Sequence, residues 1–227
     1  MADLHVTTST GDQAVLAEAK VEEFRLGLRG ELLRAGDEGY DAARTVFNTM
    51  IDRHPGLMVR CAGAADIISA VNFARDNKLL TAVRGAGHNV AGSAVCDGGM
   101  VIDLSQMKGV WIDPAKRTVR AEAGLTWGEL NNDLQAFGLA ATGGFISTTG
   151  IGGLTLGGGL GWLVRKYGLA CDNLLSVDIV TADGQFLKAS PTQNQDLFWG
   201  VRGGGGNLGV VSSFEFQVHP VECLRVS

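Results

Sequence analysis

The chain has 227 residues, with 33 glycines, four prolines, four cysteines and a formal net charge of −5. That length suits one large domain or two small ones and buries about 70% of the surface the unfolded chain exposes, so no disulfide or metal staple is required. No run of Lys or Arg occurs and no apolar stretch approaches a membrane span, which argues against nucleic acid and membranes as partners.

Residues 1–13 are small and polar and are expected to be disordered, within an N-terminal extension (1–39) that is partly disordered or helical. They carry no basic segment followed by an apolar core, so no signal peptide is expected. Leu57–Cys61 reads as a strand. Ala64–Asn77 follows as a helix with Ile67, Ile68, Val71 and Ala74 at helical spacing, then Leu79–Arg84 as a second strand. This β-α-β unit delivers His88 at the exit of a strand, where ligand loops commonly sit.

Three short strands rich in Val and Ile come next, Met100–Leu104, Gly109–Ile112 and Thr118–Ala123, with a turn at Asp113-Pro114. Thr126 and Glu129 fit a capping box, which opens a helix running to Phe137 and stopped by Gly138. Leu174–Thr181 and Gln185–Ala189 flank Ala182-Asp183-Gly184 as a hairpin. Asp196–Val201 reads as a short helix, and Val210–Val218 as a final strand carrying Phe214 and Phe216. The pattern is α+β, without the strict alternation of a doubly wound sheet.

Glycine is concentrated where chemistry is expected. Arg84-Gly85-Ala86-Gly87-His88-Asn89-Val90-Ala91-Gly92 sets one histidine among three glycines, and nine of the nineteen residues from Gly143 to Gly161 are glycine. Glycine loses the most entropy on folding, and its usual reward is a backbone brought close to a ligand with N–H groups turned toward negative charge. Two such loops suggest a cradle for a phosphate-bearing cofactor; the plain alternative for the first is a tight turn with a solvated or core-satisfied histidine. A literal G-x-G-x-x-G at Gly204, Gly206 and Gly209 precedes a strand rather than opening a helix, which disfavours a nicotinamide or nucleotide-sugar site. Cys61, Cys96, Cys171 and Cys223 are scattered without C-x-x-C or metal-ligand spacing, so free thiols in a reducing, cytoplasmic setting and no metal are expected.

The ordered set of blocks is more specific than any one of them. It comprises residues 84–92, Val101-Ile102-Asp103-Leu104-Ser105, Thr148-Thr149-Gly150-Ile151-Gly152-Gly153 and Gly157-Gly158-Gly159-Leu160-Gly161. Arg165-Lys166-Tyr167-Gly168, Asp172-Asn173-Leu174 and residues 203–211 complete it. In this order and spacing the chain resembles, from residue 40 to 220, the FAD-binding domain of the berberine-bridge-enzyme-like flavoproteins in the vanillyl-alcohol-oxidase superfamily.

The resemblance implies a PCMH-type fold of two α+β subdomains with FAD between them, expected here at 40–115 and 116–221. It implies that Arg84, Gly85, Ala86, Gly87, His88 and Asn89 cradle the pyrophosphate, with Gly92 and Ser93 extending the wall. His88 matches the histidine bonded to the flavin 8α-methyl, and a neutral imidazole suits that role as a nucleophile. Thr148, Thr149, Gly152 and Gly153 are expected to offer N–H and hydroxyl groups to the ring and ribityl chain, and Gly158 and Gly161 to permit close approach. Asp172 and Val177 fall to the adenine end, and Val210 and Val211 complete the pocket. Leu104, Gly124 and Gly209 are further implied contacts. Arg165, Lys166 and Tyr167 are either functional or a solvated turn.

Many members add a cysteinyl bond to flavin C6, but the matching position here is Ile146, so a single bond through His88 is expected. Cys171 reads as a small buried residue. The family's substrate domain, with its catalytic base, has no counterpart in this sequence. The implied function is the FAD-binding portion of an oxidoreductase that passes a hydride from an alcohol, sugar or amine to covalent FAD, with O2 as acceptor. The alternative is a stand-alone FAD-binding module or truncate without turnover. Thr149 matches a position controlling O2 access and does not decide the acceptor.

Overall fold

The computed structural model describes residues 3–221; Cys223, expected as a free thiol, lies outside them. The chain divides into two units, Met1–Met107 with Val180–Leu187, and Lys108–Ile179 with Lys188–Ser227.

The first unit begins with strands β1 (Leu4–Thr7) and β2 (Gln13–Leu16), helix α1 (Glu18–Leu26), β3 (Glu31–Leu33) and helix α2 (Tyr40–Arg44). β4 (Leu57–Arg60), α3 (Ala64–Asp76), β5 (Thr81–Arg84) and β6 (Met100–Asp103) follow. The sheet order is β3-β4-β6-β5, with β4 and β5 both parallel to β6 and β3 antiparallel to β4. Leu57, Met58, Val59, Met100, Val101 and Ile102 are all buried, as the unbroken apolar runs of parallel strands require. α3 buries Ile67, Val71 and Ala74 of the stripe its spacing predicts, while Ile68 stays half-buried and Ala70 is buried in addition. The buried Asp66 carboxylate accepts from the N–H groups of Arg29, Gly30 and Ala62 at 2.9, 2.9 and 2.8 Å, fixing the start of α3 against the preceding chain.

From residue 3 onward the N-terminal segment is ordered where disorder was expected. β1 and β2 pair antiparallel from Leu4↔Leu16 to Thr7↔Gln13 and bury Val6 and Leu16. Thr7 donates its N–H to Gly98 at 3.0 Å and accepts from Leu80 at 2.9 Å, so backbone pairing supplies the order that polar composition hid.

The second unit contains β7 (Val110–Asp113), β8 (Thr118–Glu122), α4 (Trp127–Gln135), β9 (Leu139–Ala140), α5 (Ile151–Leu156) and α6 (Val164–Tyr167). It ends with β10 (Leu174–Val180), β11 (Phe186–Ala189), α7 (Gln195–Gly200), β12 (Val210–Gln217) and β13 (His219–Pro220), the turn from β10 to β11 being grouped with the first unit. The sheet order is β11-β10-β12-β8-β7. Residues 108–115, read from sequence as part of the first subdomain, fall in the second unit because β7 pairs with β8 from Val110↔Ala121 to Asp113↔Thr118.

α4 starts as its sequence dictates. Glu129 donates its N–H to Thr126 Oγ1 at 3.3 Å, and Thr126 returns its own to Glu129 Oε2 at 2.8 Å. The helix buries Trp127, Leu130 and Leu134, and Gly138, at φ +65°, turns the chain away. Phe214 and Phe216 share one face of β12, stacked with centroids 5.8 Å apart, and Trp127 packs 5.9 Å from Phe216. α5 was not expected: Gly152 and Gly153 have poor helix propensity, but burial of Ile151 and Thr155 one turn apart holds the helix.

Candidate cofactor site

In the first unit β5 ends at Arg84, opposite Asp103 of β6, and the chain turns into the histidine loop. Leu104, buried, donates its N–H to the Arg84 carbonyl at 2.8 Å. The guanidinium is half-buried, and its Nε and Nη1 are buried with no hydrogen-bond partner among the described residues. Gly85 and Ala86 lead to Gly87, which at φ +72° needs glycine. His88 is half-buried, and its imidazole lies on the Phe47 ring at a centroid distance of 4.1 Å and an interplanar angle of 17°. The histidine is therefore a packed, oriented side chain rather than a solvated one.

Beyond it the loop closes on itself. Asn89 Oδ1 accepts from the Ser93 N–H at 3.0 Å, and the Asn89 carbonyl from Gly92 at 3.1 Å, with Gly92 at φ +75°. The Asn89 amide oxygen thus shapes the turn. Cys61 and Cys96 are buried free thiols in this unit; loss of solvent pushes the Cys96 thiol up to about 11 and Cys61 higher still, so neither offers a thiolate at neutral pH.

In the second unit Thr148 is exposed and Thr149 half-buried just before α5. The Thr149 N–H, expected to serve a ligand, is donated to the Ile146 carbonyl at 3.1 Å, and its carbonyl accepts from Trp127 at 2.9 Å. That backbone unit supports the start of α4. Gly152 is buried against the Ala123 carbonyl and the Phe214 ring, whereas Gly153 is exposed and a Cβ on it would meet nothing within 4 Å. Gly124 is buried and its carbonyl accepts from Lys108 Nζ at 2.8 Å.

Other predicted residues have neighbours within the chain. Gly158, at φ +108°, is buried and its carbonyl accepts from Cys171 at 2.9 Å. Gly161 is needed by the approach of the Gly143 carbonyl. Asp172 Oδ2 accepts the Leu169 N–H at 2.9 Å while Oδ1 pairs with Arg202 at 3.5 Å, so this carboxylate closes a turn. Val177, Val210 and Val211 are buried in β10 and β12, and Gly209, at φ +141°, opens β12. Tyr167 stacks on His219 at 3.8 Å, with Lys166 Nζ 5.0 Å from the Tyr167 ring centre. Arg165 lies beside them in α6. Phe47, the residue sequence reasoning missed, sits outside any regular element, so no periodicity marked it.

A family model described as an FAD binding domain matches residues 55–190. The chain belongs to this family of FAD binding domains, and its relatives are FAD-linked oxidoreductases and BBE-like proteins. Among members of this family, (R)-6-hydroxynicotine oxidase of Paenarthrobacter nicotinovorans is 41% identical over 194 residues, which span 86% of this chain and 42% of that protein. The solved BBE-like 1 of Physcomitrella patens superposes with a TM-score of 0.84 at 31% identity, over 88% of this chain and 44% of that one. Glucooligosaccharide oxidase from Acremonium strictum, whose FAD is 6-S-cysteinyl and 8α-N1-histidyl, gives a TM-score of 0.80 at 31% identity, over 84% and 41%. The fold is thus that of the PCMH-type FAD-binding domain, and the chain spans less than half the length of these relatives.

The residues present suit the family's cofactor. A diphosphate calls for cationic N–H donors beside bare backbone, and Arg84 offers two unpartnered nitrogens next to Gly85 and Gly87. Gly153 keeps open a space that nothing in its own surroundings needs. Among the described residues no helix is long and apolar enough to cross a membrane.

Proposed function

We propose that this chain carries FAD covalently through His88 alone and forms the cofactor-bearing part of an oxidase. The observation that carries the reading is the His88 imidazole, held against Phe47 on the loop that leaves Arg84 with two buried, unpartnered nitrogens. Arg84 would hold the diphosphate by charge-assisted hydrogen bonds, and His88 would present a ring nitrogen to the flavin 8α carbon. Gly153 would let the cofactor lie against backbone. Bound FAD supplies a two-electron acceptor that takes a hydride from an alcohol, sugar or amine carbon and is reoxidised by O2 to give H2O2.

Attachment at one point is favoured because Ile146 occupies the position of the second bond and carries no thiol. Cys171 does not replace it: desolvation and the adjacent Asp172 raise its thiol pKa, which leaves it protonated. The relatives' names, a hydroxynicotine oxidase and a glucooligosaccharide oxidase, support amine and sugar donors as substrate classes. Residues that select the substrate and remove its proton belong to a further domain.

Acid precipitation tests this reading. The wild-type chain is expected to give a yellow pellet heavier by one FAD, and His88→Ala a colourless pellet with flavin in the supernatant. Flavin retained by the denatured His88→Ala chain would remove His88 as the attachment point. No flavin in either wild-type fraction would remove the cofactor role.

A further inference from the structure

We propose that segment 46–51 is a splint for the histidine loop and that Phe47 is a positioning residue, setting the plane of the His88 imidazole for bond formation with the flavin. This inference rests on covalent attachment at His88.

The two segments touch in the same order along their lengths. Val46 Cγ1 lies 3.3 Å from where a Cβ of Gly87 would stand, and the Phe47 N–H donates to the Gly87 carbonyl at 3.1 Å. The Phe47 ring covers the His88 ring at 4.1 Å, and Asn48 Nδ2 donates to the Val90 carbonyl at 3.3 Å. Ile51 comes so close to Gly92 that a Cβ there would fall 2.8 Å from Cγ2. The splint is itself anchored: Val46 is buried, Thr45 Oγ1 donates to the Asp41 carbonyl at 2.8 Å, and the buried Tyr40 hydroxyl donates to the Pro55 carbonyl at 2.7 Å.

Phe47 is 64% exposed, so core packing does not explain its place. Rotation of an imidazole about its second side-chain torsion is soft, and a flat ring stacked within 17° of parallel restricts it. Bond formation needs a ring nitrogen aimed at one carbon, and a small misplacement is costly in rate. In that reaction His88 loses its ring N–H proton and gains the flavin 8α carbon, which loses one hydrogen. The two electrons and two protons released pass to O2 as H2O2, so the step balances.

The test uses the full chain prepared free of flavin and mixed with FAD in air. Reversible binding is read from quenching of flavin fluorescence, and linkage from flavin kept by the acid-denatured chain over time. Phe47→Ala is expected to slow linkage by about tenfold or more while reversible affinity stays within about twofold. Phe47→Tyr, which keeps the flat ring, is expected to restore the wild-type rate. Equal linkage rates for Phe47→Ala and wild type would overturn the positioning role and leave His88 attachment standing. Parallel loss of binding and linkage in Phe47→Ala, unrescued by Phe47→Tyr, would reduce Phe47 to a structural residue. A wild-type chain that binds FAD without linking it would overturn the attachment itself.

Discussion

A Cβ on Gly161 would lie 1.5 Å from the carbonyl oxygen of Gly143. Both partners are backbone, so no side-chain rotation relieves the clash. Gly161→Ala is therefore expected to destabilise the chain by about 1–3 kcal/mol or more, to the same extent with and without FAD. Thermal unfolding of both forms checks this; a loss seen only in the FAD-bound form would return Gly161 to the cofactor wall.

Gly153 behaves in the opposite way. It lies inside α5 with open space where a side chain would go, so alanine there is expected to stabilise the flavin-free chain by about 1 kcal/mol through helix propensity. The same methyl should lower FAD occupancy. Gly153→Ala with higher stability and unchanged FAD binding would show that no ligand approaches this turn.

These two glycines mark what the sequence could and could not reveal. Both read as cofactor glycines because local composition does not say which neighbour, ligand or chain, claims the missing Cβ. Features encoded within a few residues were legible: the Thr126–Glu129 capping box and the paired phenylalanines of β12 stand as read, and so does the α3 stripe apart from Ile68, which is half-buried. Long-range partners were not. The β1–β2 hairpin is tied down by Gly98 and Leu80, and Phe47 acquires its meaning from His88, which no periodicity links to it.

The Arg84 guanidinium places two buried nitrogens without partners among the described residues. Leaving buried donors unpaired is costly, whereas an apolar side chain of similar length carries no such penalty. Arg84→Met is expected to leave the flavin-free unfolding midpoint unchanged or raised and to weaken reversible FAD binding by about tenfold or more, the worth of a charge-assisted hydrogen bond. Calorimetry of both forms decides; unchanged FAD affinity would exclude Arg84 from the diphosphate cradle.

His219 gives the second unit a dependence on pH. Its Nε2 lies 2.7 Å from Asn173 Oδ1 and its ring lies on Tyr167, while burial, followed by the charges of Lys166 and Arg117, lowers its pKa below 6.5. Between that lowered value and 6.5 the unfolded chain binds a proton that the folded chain does not. The contribution is therefore complete above pH 6.5 and is lost as pH falls below it. Denaturant midpoints between pH 5 and pH 8 should show this slope, in about the range where an ordinary imidazole titrates. His219→Gln should flatten it; an unaltered slope would place the titrating group elsewhere.

The histidine loop joins two parallel strands that lie side by side. It leaves at Arg84, opposite Asp103, and must return to Met100, opposite Thr81, so it runs back along the full length of both strands. Pairing of β5 with β6 closes this loop as the sheet forms, and closure entropy is a cost of folding rather than of binding. With segment 46–51 lying along it, the loop retains little freedom for a ligand to remove. An incoming cofactor thus loses little of its interaction energy to ordering the chain, and its affinity reflects contacts made rather than disorder overcome.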